Sequence, residues 1–403
     1  MPIRRFLMSG RSIHESHRAA TPLELFFDLI FVIAIAAASS NLHHSLAAHH
    51  MGTGLIAYFM AFFSIWWAWM NFTWFASAYD TDDTPYRLTT FLLLFGALVF
   101  AVGINDISDR GPAPIVPVSG YVIMRIAMVI HWLRASREHP ENRIPCRRYA
   151  IGISVAQVGW VFWMAVPETY KFVVFLLIAL FELLVPLFAE GKKLATNWHP
   201  HHIAERYGLM VIIVLGEGLL GTANTIAGLI QLETFWNGYA LLLGMAAAGL
   251  IFALWWLYFE LPWGKVLHEN RTQKFGFVFG YSHLFVFASL AAVGSALELI
   301  ADTTQQASLP PGTRIEHPVS PLFAISTLSA AIGVFLVSIS CLRLILISNS
   351  RYNWYALAVA VVAVCIPVIA VWSGLGILWA LVLSIAGIIA YITLCNWEKC
   401  TLQ

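Results

Sequence analysis

Residues 21–42 read TPLELFFDLIFVIAIAAASSNL. After Thr21-Pro22, a natural helix start, twenty residues follow with only two charges, Glu24 and Asp28. That is the length a helix needs to cross a hydrocarbon core of about 30 Å. The same reading extends along the chain. Apolar windows of this kind fall at 53–76, 88–107, 117–136, 149–166, 171–189, 203–226, 236–260, 276–300, 319–345, 352–372 and 376–395. Between them stand Pro85, Gly111-Pro112, Pro140 with Pro145, Pro167, Pro262, Pro310-Pro311 and Gly374, the residues that end helices and make turns. The pattern predicts an all-α, polytopic membrane helix bundle of about 12 transmembrane helices.

Composition agrees. The 403 residues are 59% hydrophobic and 11% charged, with a mean hydropathy of +0.75. Soluble domains carry roughly 25% charged residues. The 16 Trp and 13 Tyr suit a chain with two membrane–water interfaces. A net charge of +1 gives no reason to expect a nucleic acid partner; the expected partners are the lipid bilayer and a small solute, ion or lipid. The five cysteines, Cys146, Cys341, Cys365, Cys395 and Cys400, are odd in number and do not suggest a disulfide framework. Residues 1–20 lack the apolar core of a cleavable signal peptide.

Basic residues set an orientation. With the N-terminus inside, Arg110, Lys171 and Arg314 fall outside and Arg125 falls within a span. The other 19 of the 23 Lys and Arg, Arg4, Lys192, Lys193 and Lys399 among them, lie on the inner side. This places both termini in the cytoplasm. The chain also looks doubled. Phe63-Ser64-Ile65-Trp66-Trp67-Ala68-Trp69 is echoed by Phe252-Ala253-Leu254-Trp255-Trp256-Leu257-Tyr258, Glu24 by Glu205, and Ala101-Val102-Gly103 by Ala292-Val293-Gly294. The expected organisation is a cytoplasmic segment 1–22, a six-helix half 23–190, a cytoplasmic linker 191–202, a second six-helix half 203–395 and a tail 396–403. Six spans per half make a tandem repeat with both halves in one orientation, an arrangement that transporters use to build sites at the repeat interface.

Charges inside a span cost at least about 2.5 kcal/mol on insertion scales, so they are candidates for function. Glu24 and Asp28 share one helix face, and Asp28 lies about 8 Å into its span. Glu205 and Arg206 open the seventh span, and Glu217 follows about 18 Å deeper, flanked by Gly216 and Gly218. Glu24, Asp28, Glu205 and Glu217 are the candidates for binding a substrate or ion. Arg125, Glu182, Arg206 and His283 are structural or relay candidates, and Arg125 requires a buried acid: Glu182, Glu217 or Asp28. The histidines at 43, 44, 49 and 50 and at 199, 201 and 202 lack the spacing of a metal site and read as solvated interfacial residues. Asp80, Asp82 and Asp83 read as a solvated inner loop. No phosphate-binding loop, nucleophile elbow or other catalytic signature is present, and no pattern names a cofactor or catalytic residue.

Thr21-Pro22-Leu23-Glu24-Leu25-Phe26-Phe27-Asp28-Leu29-Ile30-Phe31-Val32 resembles the opening motif of the bacterial low temperature requirement protein A family. His202-Ile203-Ala204-Glu205-Arg206-Tyr207-Gly208, running on to Ile213-Val214-Leu215-Gly216-Glu217, resembles its second motif. The likeness spans roughly residues 15–395 and departs at Gly218, where it implies a small hydroxyl residue. It implies a polytopic inner-membrane protein and brings no mechanism with it. The function expected is a transporter or channel for a small solute or ion, linked to protons, with a site using Asp28 and Glu217. The alternatives are an intramembrane enzyme acting on lipid or an isoprenoid carrier, using Glu24, Glu205, His202 and Glu260, and a non-transporting sensor or assembly factor.

Overall fold

A computed structural model describes residues 5–12, 15, 18–104, 114–191, 196–232, 238–307, 309, 316–347 and 351–402, the side chains of 224–232, 351–352 and 398–402 excepted. Arg4, Arg110, Gly111-Pro112, Lys192, Lys193, Pro310-Pro311 and Arg314 lie outside the described residues, as do the side chains of Arg351 and Lys399.

Among the described residues there are twelve long helices and no strand. They are α1 (Pro22–Ala47), α2 (Met51–Tyr79), α3 (Thr84–Val102), α4 (Ile115–Glu138), α5 (Arg143–Trp163), α6 (Glu168–Glu190), α7 (Pro200–Leu232), α8 (Gly238–Phe259), α9 (Gln273–Ala307), α10 (Pro321–Leu346), α11 (Arg351–Trp372) and α12 (Ile377–Leu402). A short helix, Trp263–Glu269, follows α8. Ten of the twelve are long and apolar enough to cross a membrane. The two outside that set are α5, which carries Arg143, Arg147 and Arg148, and α7, which carries Glu205, Arg206 and Glu217. The chain is therefore a polytopic helical membrane protein.

The helix starts follow from local chemistry. At α1, Thr21 and Glu24 form a capping box: the Thr21 N–H donates to Glu24 Oε2 (2.7 Å) and the Glu24 N–H donates to Thr21 Oγ1 (3.3 Å), with Pro22 at the first helical position. Asp83 caps α3 by accepting from the Tyr86 N–H, and Ser320 caps α10 by accepting from the Phe323 N–H. Gly374, with φ of +95°, makes the tight turn between α11 and α12 that a side chain would strain.

The chain divides into two compact units, residues 1–38 with 55–207, and residues 39–54 with 208–403. In the first unit, α3 packs on α4, α4 on α5 and α5 on α6. The α3–α4 contact is close because Gly96 and Gly120 face the opposite backbone; a Cβ on Gly120 would sit 2.3 Å from the Phe100 nitrogen. Small residues permit such approach in membrane helices. The segment before α1 is docked on this unit. The Met8 N–H donates to Glu138 (2.8 Å), the Phe6 N–H to Asp83 (3.0 Å) and the Arg11 N–H to the Ala78 carbonyl (2.8 Å). In the second unit, α9 packs on α10, α10 on α11, α11 on α12 and α12 on α8.

Candidate functional site

The first turns of α1 and α7 meet inside the first unit. Glu24 and Asp28 are completely buried, as are His202 and Arg206. His202 Nε2 lies 3.1 Å from Glu24 Oε1. The Arg206 guanidinium spans both acids, with Nη1 at 3.0 Å from Glu24 and Nε and Nη2 at 3.1 and 2.6 Å from Asp28. Trp69 Nε1 donates to the same Asp28 carboxylate (2.7 Å). The pairs Glu24–His202 and Asp28–Arg206 are each 178 residues apart. Two acids one turn apart on α1 thus face two bases one turn apart on α7, and the two first turns run parallel.

Arg18 and Asp80 close the network. Arg18 Nη2 stands 3.5 Å from Glu24 and 3.7 Å from Asp80, and also donates to the Ala76 carbonyl (3.2 Å). Burial pushes the Asp80 carboxyl up to about 6, with the charge of Glu24 adding to the rise and Arg18 opposing it. Asp83 behaves in the opposite sense. Burial raises it, but hydrogen bonds from Arg134 and from the Phe6 and Tyr86 N–H groups prevail and hold it down to about 2. Buried charges persist only when paired and hydrogen-bonded, and these are.

A second buried pair lies among α2, α4, α5 and α6. Arg125 Nη2 donates to Glu182 Oε2 (3.0 Å) and to the Tyr121 hydroxyl. Glu182 also accepts from Trp160 Nε1 (2.9 Å) and Trp67 Nε1. This carboxylate is enclosed by donors.

The second unit holds a different arrangement. His43 on α1 contacts Glu298 (3.3 Å) and Asp302 (2.7 Å) on α9, with these side chains partly exposed. Glu217 on α7 is half-buried and close enough to Glu298 to feel its charge. The reason for that proximity is steric. A Cβ on Gly294 would lie 3.3 Å from the Gly218 Cα, so α7 and α9 nearly touch there. One turn on, the Glu298 side chain rests against Gly221, where a Cβ would meet Oε1 at 3.1 Å. Glu298 and Asp302 thus stand against His43, with Glu217 and His44 near enough to Glu298 to act on it by charge, and among the described residues no Lys or Arg forms an ion pair with these acids. No group of described His, Cys, Asp and Glu has the geometry of a metal site.

The motif residues of α1 and α7 are therefore one physical object. Residues 19–390 match the family model of the bacterial low temperature requirement A protein (LtrA). The chain belongs to the LtrA family. An uncharacterized protein of Rhizobium meliloti (strain 1021) is 27% identical over 302 residues, covering 71% of this chain and 70% of that protein.

Within this LtrA protein the sequence-derived candidates separate. Glu24, Asp28 and Arg206 come together, as do Arg125 and Glu182. Glu205 is exposed and accepts from the Ala20 N–H (3.2 Å). Asp28 and Glu217 belong to different units. His283 is buried, with Nε2 at 3.0 Å from the Tyr258 hydroxyl and Nδ1 at 2.7 Å from the Phe279 carbonyl. Gly218, where the family resemblance implies a hydroxyl, instead packs closely against Gly294 of α9. Two expectations need correction. His43 and His202 are not solvated histidines, because each faces carboxylates. Asp80 and Asp83 are not a solvated loop, because Arg18 and Arg134 fold back onto them. Glu298 and Asp302 escaped the sequence reading, although their spacing of four repeats that of Glu24 and Asp28.

Proposed function

We propose that this protein is a proton-linked transporter or channel for a small solute or ion, and that its path uses Glu217, Glu298, Asp302 and His43. The observation that carries this reading is the excess of carboxylate over Lys and Arg where α1, α7 and α9 meet, with only the imidazoles of His43 and His44 beside it. Acids in that setting bind protons or a cation, or share a proton between neighbours. Asp28, the other acid expected to serve, has a different part: with Arg206 and Trp69 it forms a fixed clamp. The enzyme reading loses support, since Glu24 and His202 are buried against each other and offer no surface to a lipid substrate.

The same proposal puts the protein in the bacterial inner membrane with both termini in the cytoplasm, as two six-helix halves in tandem. The parallel run of the α1 and α7 first turns supports it, since an even number of crossings between them requires that sense. A cysteine at Glu141 in a background without other cysteines should resist an impermeant thiol reagent in intact cells; labelling there rejects the orientation.

The functional test uses purified protein in liposomes loaded with a pH-sensitive dye. A proton flux is expected under an imposed potential or pH gradient, and Glu217→Gln should remove most of it while leaving thermal stability unchanged. Glu298→Gln should act alike. If wild-type liposomes pass no more protons or small cations than empty ones, the transport reading fails and the sensor or assembly-factor reading takes its place.

A further inference from the structure

The face between α4 and α5 holds a cavity of about 410 Å³, lined by Arg125, Val129, Ile153 and Gln157 within and by exposed Ile126 and Val158 at its mouth. Such a volume falls in the range of about 300–1,000 Å³ typical of small-molecule sites. Its walls are mostly aliphatic, Ser154 being turned to the Ala150 carbonyl of its own helix (2.8 Å), and its other polar residues are unusual. Arg125 is 2% exposed. One nitrogen, Nη2, is used by Glu182 and Tyr121, while Nε and Nη1 are buried without a hydrogen-bond partner. The Gln157 carboxamide is in the same condition at both Nε2 and Oε1. Buried polar atoms in native proteins are nearly always satisfied. The unsatisfied donors and acceptor belong to two of the residues that line this cavity, and this marks it as a site for a ligand's head.

We propose that this cavity binds a membrane quinone, a neutral ring bearing carbonyl groups on an apolar tail. Charge argues for a neutral head: Glu182, 3.0 Å from Arg125, already balances the guanidinium. Hydrogen bonding argues for carbonyls, which accept from Arg125 and from Gln157 Nε2, while Gln157 Oε1 can accept from the hydroxyl of the reduced form. Depth argues against a phospholipid headgroup. Arg125 lies ten residues into the 24-residue α4, about 15 Å from the nearer end, where phosphates do not reside in a core about 30 Å thick. The aliphatic mouth, with Val158 72% and Ile126 49% exposed, lets a tail leave sideways toward lipid. This inference is independent of the transport reading.

The test uses the full-length protein in phosphatidylcholine nanodiscs and a dimethoxy-methyl-benzoquinone with a ten-carbon tail as probe. Retained quinone is quantified after separation, with empty discs subtracted. Saturable binding is expected. Gln157→Leu should weaken it about ten-fold, or about 1.4 kcal/mol, for the lost polar contacts. Val158→Trp should fill the mouth and abolish it. Both side chains make no hydrogen bond that the fold needs, so unchanged thermal unfolding of the variants is the control. Decanoate and decyl phosphate, which carry the same tail with an anionic head, should bind more weakly. The proposal is overturned by binding no greater than in empty discs, by equal binding to Gln157→Leu, or by a preference for the anionic probes.

Discussion

The motif at 63–69, FSIWWAW, and the motif at 252–258, FALWWLY, meet opposite fates. In the first unit Trp66, Trp67 and Trp69 are at most 2% exposed. Trp67 donates to Glu182 and Trp69 to Asp28. In the second unit Trp255 and Trp256 are 38% and 42% exposed, and Trp256 donates to Glu260 near the helix end (3.2 Å). The two stretches share Phe, Trp and Trp at equivalent positions, and Tyr258, in the place of Trp69, is buried like it; for the Trp pair, what differs is the acid opposite. A buried carboxylate needs N–H donors, and an indole supplies one on a large apolar body. Where no buried acid faces the helix, the same rings can turn outward, as Trp does at membrane interfaces. The first unit is organised around paired charges, the second around apolar packing with a few under-compensated acids.

The strongest way to break that contrast is to remove the cation that joins two acids. Arg206→Met leaves Glu24 with His202, Arg18 and the Thr21 N–H, and Asp28 with Trp69. Removing one partner of a buried ion pair costs about 3–5 kcal/mol, so Arg206→Met should give little folded protein in detergent, read as yield and thermal unfolding. Unchanged unfolding would mean that the network is not what holds the first turns of α1 and α7 together. A smaller effect sharpens the contrast directly. Trp69→Phe withdraws one donor from buried Asp28 and should cost about 1–3 kcal/mol. Trp256→Phe, on an exposed face, should stay within about 0.5 kcal/mol. Equal losses at the two positions would erase the distinction drawn between the motifs.

These residues also mark how far sequence reading reached. Helix number was legible because apolar runs of about 20 residues, broken by Pro and Gly, leave few alternatives. Helix ends were less so: α9 runs on to Ala307, past the apolar window that closes at 300, and carries Asp302 with it. That Glu24 and Asp28 share a face follows from spacing alone. Their partners did not, since His202 and Arg206 are 178 residues away, and the aligned echo of Glu24 at Glu205 points to the wrong face of α7. Asp80 and Asp83 looked like loop acids because nothing in their vicinity announces Arg18 or Arg134. Charge pairing across a fold is set by packing, and packing is what a linear pattern of hydropathy leaves open.

The smallest expected effect tests the charged unit through pH. Asp80 is an acid whose folded value, about 6, stands above the ordinary 3.8. Between those values the folded protein holds a proton that the unfolded chain has released, so the contribution of Asp80 to stability falls as pH rises through this window. Moving from pH 7 to pH 5 should therefore stabilise by about 1 kcal/mol through this group. Asp83 does not interfere, since its loss of stability begins only below the ordinary aspartate value and runs down to about 2. His199 does interfere: burial holds its imidazole below the ordinary range, so acidification through pH 6.5 costs stability there. The informative quantity is thus the difference between wild type and Asp80→Asn, followed by thermal or chemical unfolding at both pH values. Asparagine keeps an oxygen to accept from the Asp82 N–H, which Asp80 Oδ1 now does at 2.9 Å, and Arg18 keeps Glu24. Wild type should gain about 1 kcal/mol relative to the variant on going from pH 7 to pH 5. A difference of zero would mean that Asp80 titrates like a solvated acid and that the charged network ends at Arg18.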